Sequence, residues 1–351
     1  MVTRPSFNPH EFYIRQTALP ELGVPGQEKL RRSKVAVVGL GGLGSASTLY
    51  LALAGVGYLR LVDQDTVELH NLHRQMLYST ENLRYPKVEV AEQRIEQANP
   101  DVKVEPVPEN VHKGNVDEII RGVDCVVDGL DNMRTRYLLN RACVKYGVPY
   151  VFGAAIGIEG NISVFAPPET PCLECVLPGL DDRQLPTCEV RGVLGATAGI
   201  IGSMQAMETI KLLAGIEGSL KGKLMVCDFR DMYFSTIEIF RRLDCPVCQV
   251  KEVKPVEEAE RLVWLCGRNT VNVNPPKPMD MKLGEIYETL RHHFRILVKS
   301  SLVIVFQYDG GVEVSLFNRG RMLIKNVKDE ESALQVYNKV IEKLGVKLPS
   351  N

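Results

Sequence analysis

The chain has 351 residues, 45% of them hydrophobic, and its 43 acidic and 42 basic side chains leave a formal net charge of -1. That much apolar material supports a large core and argues against disorder, while the charge balance argues against a nucleic-acid protein that works through a global basic field. The longest apolar run, Leu49 to Val56, is broken by Gly55 and falls well short of the ~20 residues a membrane span needs.

The N-terminal stretch holds Arg4 and polar residues with no apolar h-region, so a cytoplasmic, reducing address is expected. Phe12, Tyr13 and Arg15 lead through Pro20, Gly23, Pro25 and Gly26 into short helical pieces up to Arg32. Val35 to Gly39 is a buried-strand run ending in glycine, and Ser45 to Leu53 reads as the helix beyond it. Strand Tyr58 to Asp63, helix Lys87 to Ala98, strand Val102 to Val107 and strand Val123 to Val127 continue the alternation. Helix Arg134 to Tyr146 and strand Val148 to Gly153 extend it. The fold class this predicts is α/β: a doubly wound, mostly parallel, Rossmann-like sheet.

From Ile162 the order changes. A strand to Ala166 is followed by Pro167 and Pro168, a cysteine-bearing loop, a long helix rich in small residues ending near Leu213, and strands near Leu224 to Asp228 and Tyr233 to Phe240. These read as an antiparallel extension. After Lys251 the composition turns to Lys, Val, Pro and Glu, so residues 1–253 are expected to form one domain and 254–351 a small α+β domain. In the latter, Leu283, Ile286, Tyr287, Leu290 and Phe294 recur at helical spacing, Arg295 to Gln307 reads as one strand, and Val312 to Phe317 and Met322 to Val327 as two more. Asp329 is placed to cap a final helix.

Gly39, Gly41, Gly42 and Gly44 lie between a strand and a helix, where glycines let a polyphosphate approach backbone amides at the positive helix end. Asp63, ending the next strand, is placed for ribose hydroxyls. Taken alone this motif does not separate NAD, FAD and ATP, and a nicotinamide-dependent dehydrogenase is one reading of it. Asp65, Asn71-Leu-His73-Arg74-Gln75, Lys87 opening a helix, and Asp128-Gly-Leu-Asp131-Asn132 go further, because hydride transfer has no need of them. Asp128 itself is expected to end a strand and cap the following helix.

With these segments the chain resembles the MoeB/ThiF family, relatives of ubiquitin-activating enzymes, over residues 11 to about 250. The resemblance implies ATP-dependent adenylation of the C-terminal carboxylate of a ubiquitin-like sulfur-carrier protein ending in Gly-Gly, with release of pyrophosphate and Mg2+ as cofactor. It implies Asp131 as the magnesium-associated acid, Asp63 on ribose, and Asn71, Arg74, Gln75, Lys87 and Asn132 around the nucleotide. Arg15 would reach a partner subunit's site, which implies a homodimer. Such chemistry needs fixed cations more than a base, since a C-terminal carboxylate, with a reference pKa of about 3.5, is already ionised. An adenylating relative acting on another carboxylate, such as one on modified tRNA, is the alternative within this class.

Nine cysteines in a reducing compartment are a poor fit to disulfides. Cys172 with Cys175, and Cys245 with Cys248, form two C-x-x-C pairs that can close a four-thiolate site, which indicates structural Zn2+, and the family resemblance agrees. Cys188 resembles a family cysteine able to link covalently to the carrier, so a catalytic role is open to it. Cys125, Cys143 and Cys227 read as packing residues. Relatives often have proline where this chain has Ala196. Leu265-Cys266-Gly267-Arg268 also lacks the persulfide loop of a rhodanese, so a separate sulfur-donor protein is implied.

Overall fold

The structure is a computed structural model, and it describes residues 7–184, 191–248, 261–265 and 269–346. Cys188, Cys266 and the linker-like stretch after Lys251 lie outside the described residues.

Helices α1 (Pro9–Phe12), α2 (Ile14–Thr17) and α3 (Gly23–Arg32) precede strand β1 (Lys34–Val38). β1 is apolar and buried from Val35 onward because both faces of a parallel sheet are covered. Helix α4 (Gly42–Ala54) follows the glycine turn and ends on Gly55, whose left-handed conformation (φ 85°) closes the helix at little steric cost. Then come β2 (Tyr58–Val62), α5 (Lys87–Ala98), β3 (Lys103–Val107), α6 (Val116–Ile120), β4 (Cys125–Asp128) and α7 (Met133–Tyr146). β5 (Tyr150–Ile156), β6 (Glu159–Phe165), α8 (Leu173–Val176), α9 (Gly195–Ala214), β7 (Lys223–Asp228) and β8 (Tyr233–Glu238) complete this part.

The eight strands run in the order β3-β2-β1-β4-β5-β6-β7-β8. The first five are parallel and the last three are added antiparallel, as the element order predicts. The strand order reverses between β2 and β4 around β1, the switch point where such sheets bind ligands.

The glycines of α9 work by close approach. A Cβ on Gly202 would stand 2.3 Å from the Leu43 carbonyl oxygen, so α9 lies directly on α4. Gly195 carries α9's first turn against the His73 carbonyl, where a Cβ would come within 2.4 Å. From α9 the buried Gln205 reaches into the sheet and donates to the Asp128 and Val151 carbonyls at 2.7 and 3.1 Å.

A second, six-stranded antiparallel sheet has the order β11-β12-β13-β14-β10-β9, built from β9 (Leu262–Leu265), β10 (Thr270–Val273), β11 (Arg295–Lys299), β12 (Val303–Gln307), β13 (Glu313–Phe317) and β14 (Met322–Lys325). Helices α10 (Leu283–His293) and α11 (Glu330–Lys343) pack their apolar faces into its core around Tyr337, Phe306 and Leu290. Asp329 caps α11 through Ser332 N–H at 2.7 Å, as expected. The single strand expected over Arg295 to Gln307 is instead a hairpin. Ser300 Oγ accepts from the N–H groups of Leu302 and Val303, both at 3.2 Å, and turns the chain back.

Among the described residues no helix is long and apolar enough to cross a membrane.

Candidate functional site

The glycine turn sits at the C-terminal end of β1, with the loops leaving β2 and β4 on either side. Its glycines differ in what they do. A Cβ on Gly44 would lie 1.8 Å from the Gly39 carbonyl oxygen, and one on Gly39 (φ +88°) would lie 2.6 Å from the Gly129 oxygen, so both are required by backbone packing. A Cβ on Gly42 would meet Ala198 Cβ at 2.8 Å and the Arg74 carbonyl oxygen at 3.4 Å. Gly41 is different, because its nearest neighbours would be Gln75 Nε2 and the Gly129 oxygen at 3.9 Å. Among the described residues nothing comes closer to that position, and Gly41 leads into α4 with no side-chain hydrogen bond capping the helix. A helix N-terminus left so is suited to phosphate.

Asp63 accepts from Leu40 N–H and Asp65 N–H, both at 2.7 Å, which fixes its carboxylate beside the turn. Burial raises its pKa above the ordinary carboxylate value, and the Lys87 ammonium, 3.9 Å away, pulls it back. Lys87 opens α5 with its side chain 4% exposed and donates to Asp65 at 2.9 Å. A cation this buried must be held by anions, and the two aspartates supply them.

Arg74 donates to Asn71 Oδ1 at 2.9 Å and to the His70 carbonyl at 3.1 Å, and its Nη1 lies 2.8 Å from His73 Nε2. Among the described residues the buried Asn71 Nδ2 and Gln75 Oε1 have no hydrogen-bond partner, an uncommon state for buried amides. The glycine turn, Asp63, Asn71, Arg74, Gln75 and Lys87 are thus drawn to one end of the sheet.

The loop after β4 differs from expectation. Asp128 does not cap α7; that helix is capped by Asn132, whose Oδ1 accepts from Thr135 N–H at 2.9 Å. Asp128 is fully buried instead, accepting from Arg136 Nε at 2.9 Å, Tyr150 Oη at 2.7 Å and Leu130 N–H at 2.8 Å. Burial raises its pKa while Arg136 opposes the rise. Arg136 also donates to the Leu130 and Gly153 carbonyls at 2.7 and 2.8 Å, so it ties down the backbone that presents Asp131 to solvent. Sequence reasoning missed Arg136, Tyr150 and Gln205, and only the acidic strand end at Asp128 hinted that a buried cation was needed.

Arg15 lies apart from these residues, exposed on α2. Its neighbour Gln16 bonds the Ala54 carbonyl, at the far end of α4 and roughly 18 Å along that helix from the glycine turn.

The four expected cysteines come together. Sγ atoms of Cys172, Cys175, Cys245 and Cys248 all lie within 4.8 Å of one another, with separations of 3.9 Å (172 to 175), 3.7 Å (172 to 245) and 3.3 Å (175 to 248). A zinc tetrathiolate with Zn–S of about 2.3 Å has sulfur edges of about 3.8 Å, whereas a disulfide would need about 2.05 Å. Burial, with its neighbouring thiols, raises Cys172 and pushes Cys248 up to about 12, whereas Cys245 is lowered because hydrogen bonds from the Cys248 and Val247 backbone outweigh its burial. The knuckle is anchored to α7, since Asn140 Oδ1 accepts from Leu173 N–H at 2.9 Å and Arg141 grips Glu174 through two 2.9 Å bonds. Cys125, Cys143 and Cys227 are buried as expected.

A doubly wound sheet with a glycine turn, a strand-end aspartate and two cations at its switch point defines a nucleotide-binding α/β protein. Within that class the chain belongs to the ThiF family, whose model matches residues 13–247. It is 42% identical over 249 residues to the "SAMP-activating enzyme E1" of Haloferax volcanii, an alignment covering 71% of this chain and 92% of that protein. It is 43% identical over 242 residues to the "Sulfur carrier protein adenylyltransferase" of Thermus thermophilus, covering 67% of this chain and 89% of that one. The fold is shared with the crystal structure of Escherichia coli MccB with MccA-N7isoASN, at a TM-score of 0.61 and 22% identity, covering 68% of this chain and 76% of that one.

Proposed function

We propose that the protein is an adenylyltransferase that uses ATP to activate the C-terminal Gly-Gly carboxylate of a ubiquitin-like sulfur-carrier protein. The observation that carries this reading is the pairing of identities above 40% across most of two relatives, one named a sulfur carrier protein adenylyltransferase and the other a SAMP-activating enzyme E1, with a glycine turn flanked by Lys87 and Arg74. In the reaction a carboxylate oxygen bonds to the α-phosphorus as the bond from that phosphorus to pyrophosphate breaks. Two anions must meet, so the barrier is electrostatic.

The chain's own residues answer that barrier. The amides at the start of α4 would hold the phosphates, with Gly41 leaving the room. Lys87 and Arg74 would place positive charge along the triphosphate, Asp63 would accept from a ribose hydroxyl, and the unpaired Nδ2 of Asn71 and Oε1 of Gln75 would turn to the nucleotide. Magnesium, once bound, would neutralise charge developing on pyrophosphate. The exposed Asp131 carboxylate, braced by Asn132 Nδ2 at 3.2 Å, suits a hard cation. Zinc in the four-cysteine cluster would be structural, because four thiolates leave no open coordination position. Arg15, exposed and apart from its own chain's site, fits a role at the site of a second copy, and Cys188 and the separate sulfur donor belong to the step after activation.

Exchange of labelled pyrophosphate into ATP, dependent on the host's Gly-Gly-ending carrier, tests the proposal. Exchange should appear with the wild-type chain and collapse for Arg74→Ala and Asp131→Ala. Persistence in both variants refutes the assigned site.

A further inference from the structure

We infer that the second sheet is a positioning element of the nucleotide site, and that it acts through Arg321, which sets the Asp63-Gln64-Asp65 loop. This rests on the reading of Asp63 as the ribose carboxylate.

Arg321 lies in the turn between β13 and β14 and is 3% exposed. Its Nη2 donates to the carbonyls of Gln64 at 2.8 Å and Pro108 at 2.9 Å, and its Nε donates to Pro108 again at 3.2 Å. On its own side Nη1 donates to Asn272 Oδ1 at 2.6 Å, and the guanidinium lies 3.7 Å from the centre of the Phe317 ring. Gln64 and Pro108 stand where the chain leaves β2 and β3, on the rim where a doubly wound sheet holds its ligand.

Docking two sheets does not require so buried a cation. Ion pairs with exposed arginines, Arg319 to Glu109 at 2.7 Å and Arg84 to Glu313 at 2.8 Å, already join the same surfaces. A desolvated guanidinium is costly unless its donors are engaged, and here three of the bonds, from Nε and Nη2, are made to backbone carbonyls of Gln64 and Pro108, beside the one from Nη1 to Asn272.

The 63–68 segment explains what that grip does. Asp63 and Asp65 turn their carboxylates to Leu40 N–H and Lys87, whereas Thr66 and Glu68 turn to Lys325, at 3.0 and 2.6 Å. The segment therefore has a nucleotide side and a second-sheet side, and Arg321 holds the carbonyl between the two aspartates. Without it, the peptide carrying Asp63 can rotate, and the carboxylate loses its place.

Calorimetric titration of the full chain with magnesium and ATP, and with 2′-deoxy-ATP and 3′-deoxy-ATP, tests this. The wild type should prefer ATP over a deoxy analogue. Arg321→Ala should raise the Kd for ATP about ten-fold and shrink that preference toward one, as expected when a contact is displaced by a fraction of an ångström. Arg321→Lys, which keeps the charge but not the fork, should lie between, and Arg319→Ala should match the wild type. Unchanged ATP affinity in Arg321→Ala, or an equal loss for ATP and the deoxy analogues with the preference kept, overturns the inference. If Arg321→Ala does not fold, Arg321→Lys decides alone, and an undiminished preference in it is the overturning result. A wild type that binds no ATP, or Asp63→Ala with the full preference, would instead remove the ribose reading beneath it.

Discussion

Arg74 Nη2 donates to Asn71 Oδ1 at 2.9 Å, and the same carboxamide's nitrogen is buried without a partner among the described residues. One end of Asn71 thus orients the cation while the other remains to be satisfied. Asn71→Ala should lower the rate of carrier-dependent pyrophosphate exchange by about 10²-fold, the scale for losing an oriented electrostatic contact. It should shift the thermal midpoint little, because the desolvation penalty recovered from the unpaired Nδ2 offsets the lost bond to Arg74. A wild-type exchange rate would show that Asn71 does not orient Arg74.

Gly41 and Gly44 make a paired test of space against packing. Gly41→Ala places its Cβ 3.9 Å from the nearest atoms, so the fold should be kept while ATP affinity falls at least ten-fold, since the methyl occupies the cradle. Gly44→Ala puts a Cβ 1.8 Å from the Gly39 oxygen, so it should fail to fold or lose several kcal/mol. Circular dichroism melts beside ATP titrations separate the two, and full ATP affinity in Gly41→Ala would show that no phosphate sits there.

Elemental analysis of the purified chain should find one zinc per molecule. Stripping it with a strong chelator, or Cys245→Ser, should lower the melting midpoint by roughly 5 °C or more. Cys227→Ser, outside the cluster, should leave the zinc content intact. A metal-free chain with an unchanged melt on chelator treatment would argue for four reduced thiols.

His112 supplies a pH dependence. Its pKa is lowered from 6.5, chiefly by burial and against the pull of Glu109, and its Nδ1 accepts from Gly114 N–H at 3.0 Å, a bond that only the neutral ring can make. The unfolded chain binds a proton near pH 6.5 that the folded chain resists, so this ring's contribution is intact above that value. It is lost as pH falls from about 6.5 toward the lowered folded pKa. Urea midpoints should drop between pH 7.5 and 5.5 more steeply for the wild type than for His112→Asn, and parallel curves would exclude His112 as the cause.

Much of this was legible in the chain because its signals are local. Val35 to Val38 is apolar throughout since both sheet faces are covered, the glycine turn and Asp63 stand at fixed places beside it, and each C-x-x-C is a knuckle in itself. What was not legible depends on distant partners. Asp128 read as a helix cap because its carboxylate's true partners, Arg136 and Tyr150, are 8 and 22 positions away on other elements. Arg321 carried no signal at all, for its acceptor is a backbone carbonyl 257 positions earlier, and carbonyls are invisible in a sequence. The β11-β12 hairpin was missed because Ser300 and Ser301 break an otherwise continuous strand pattern with a turn made by a single hydroxyl.

The two-sided segment from Asp63 to Glu68 limits how this region can change length. Successive residues in an extended chain face opposite ways, so adding or removing one residue here would exchange the partners of every side chain downstream of the change. Thr66 would face Lys87 in place of Asp65, and Lys325 would lose Thr66 and Glu68. Insertions and deletions at this point should therefore be tolerated only in pairs, and a chain that breaks that parity should keep its overall shape yet have no affinity for ATP.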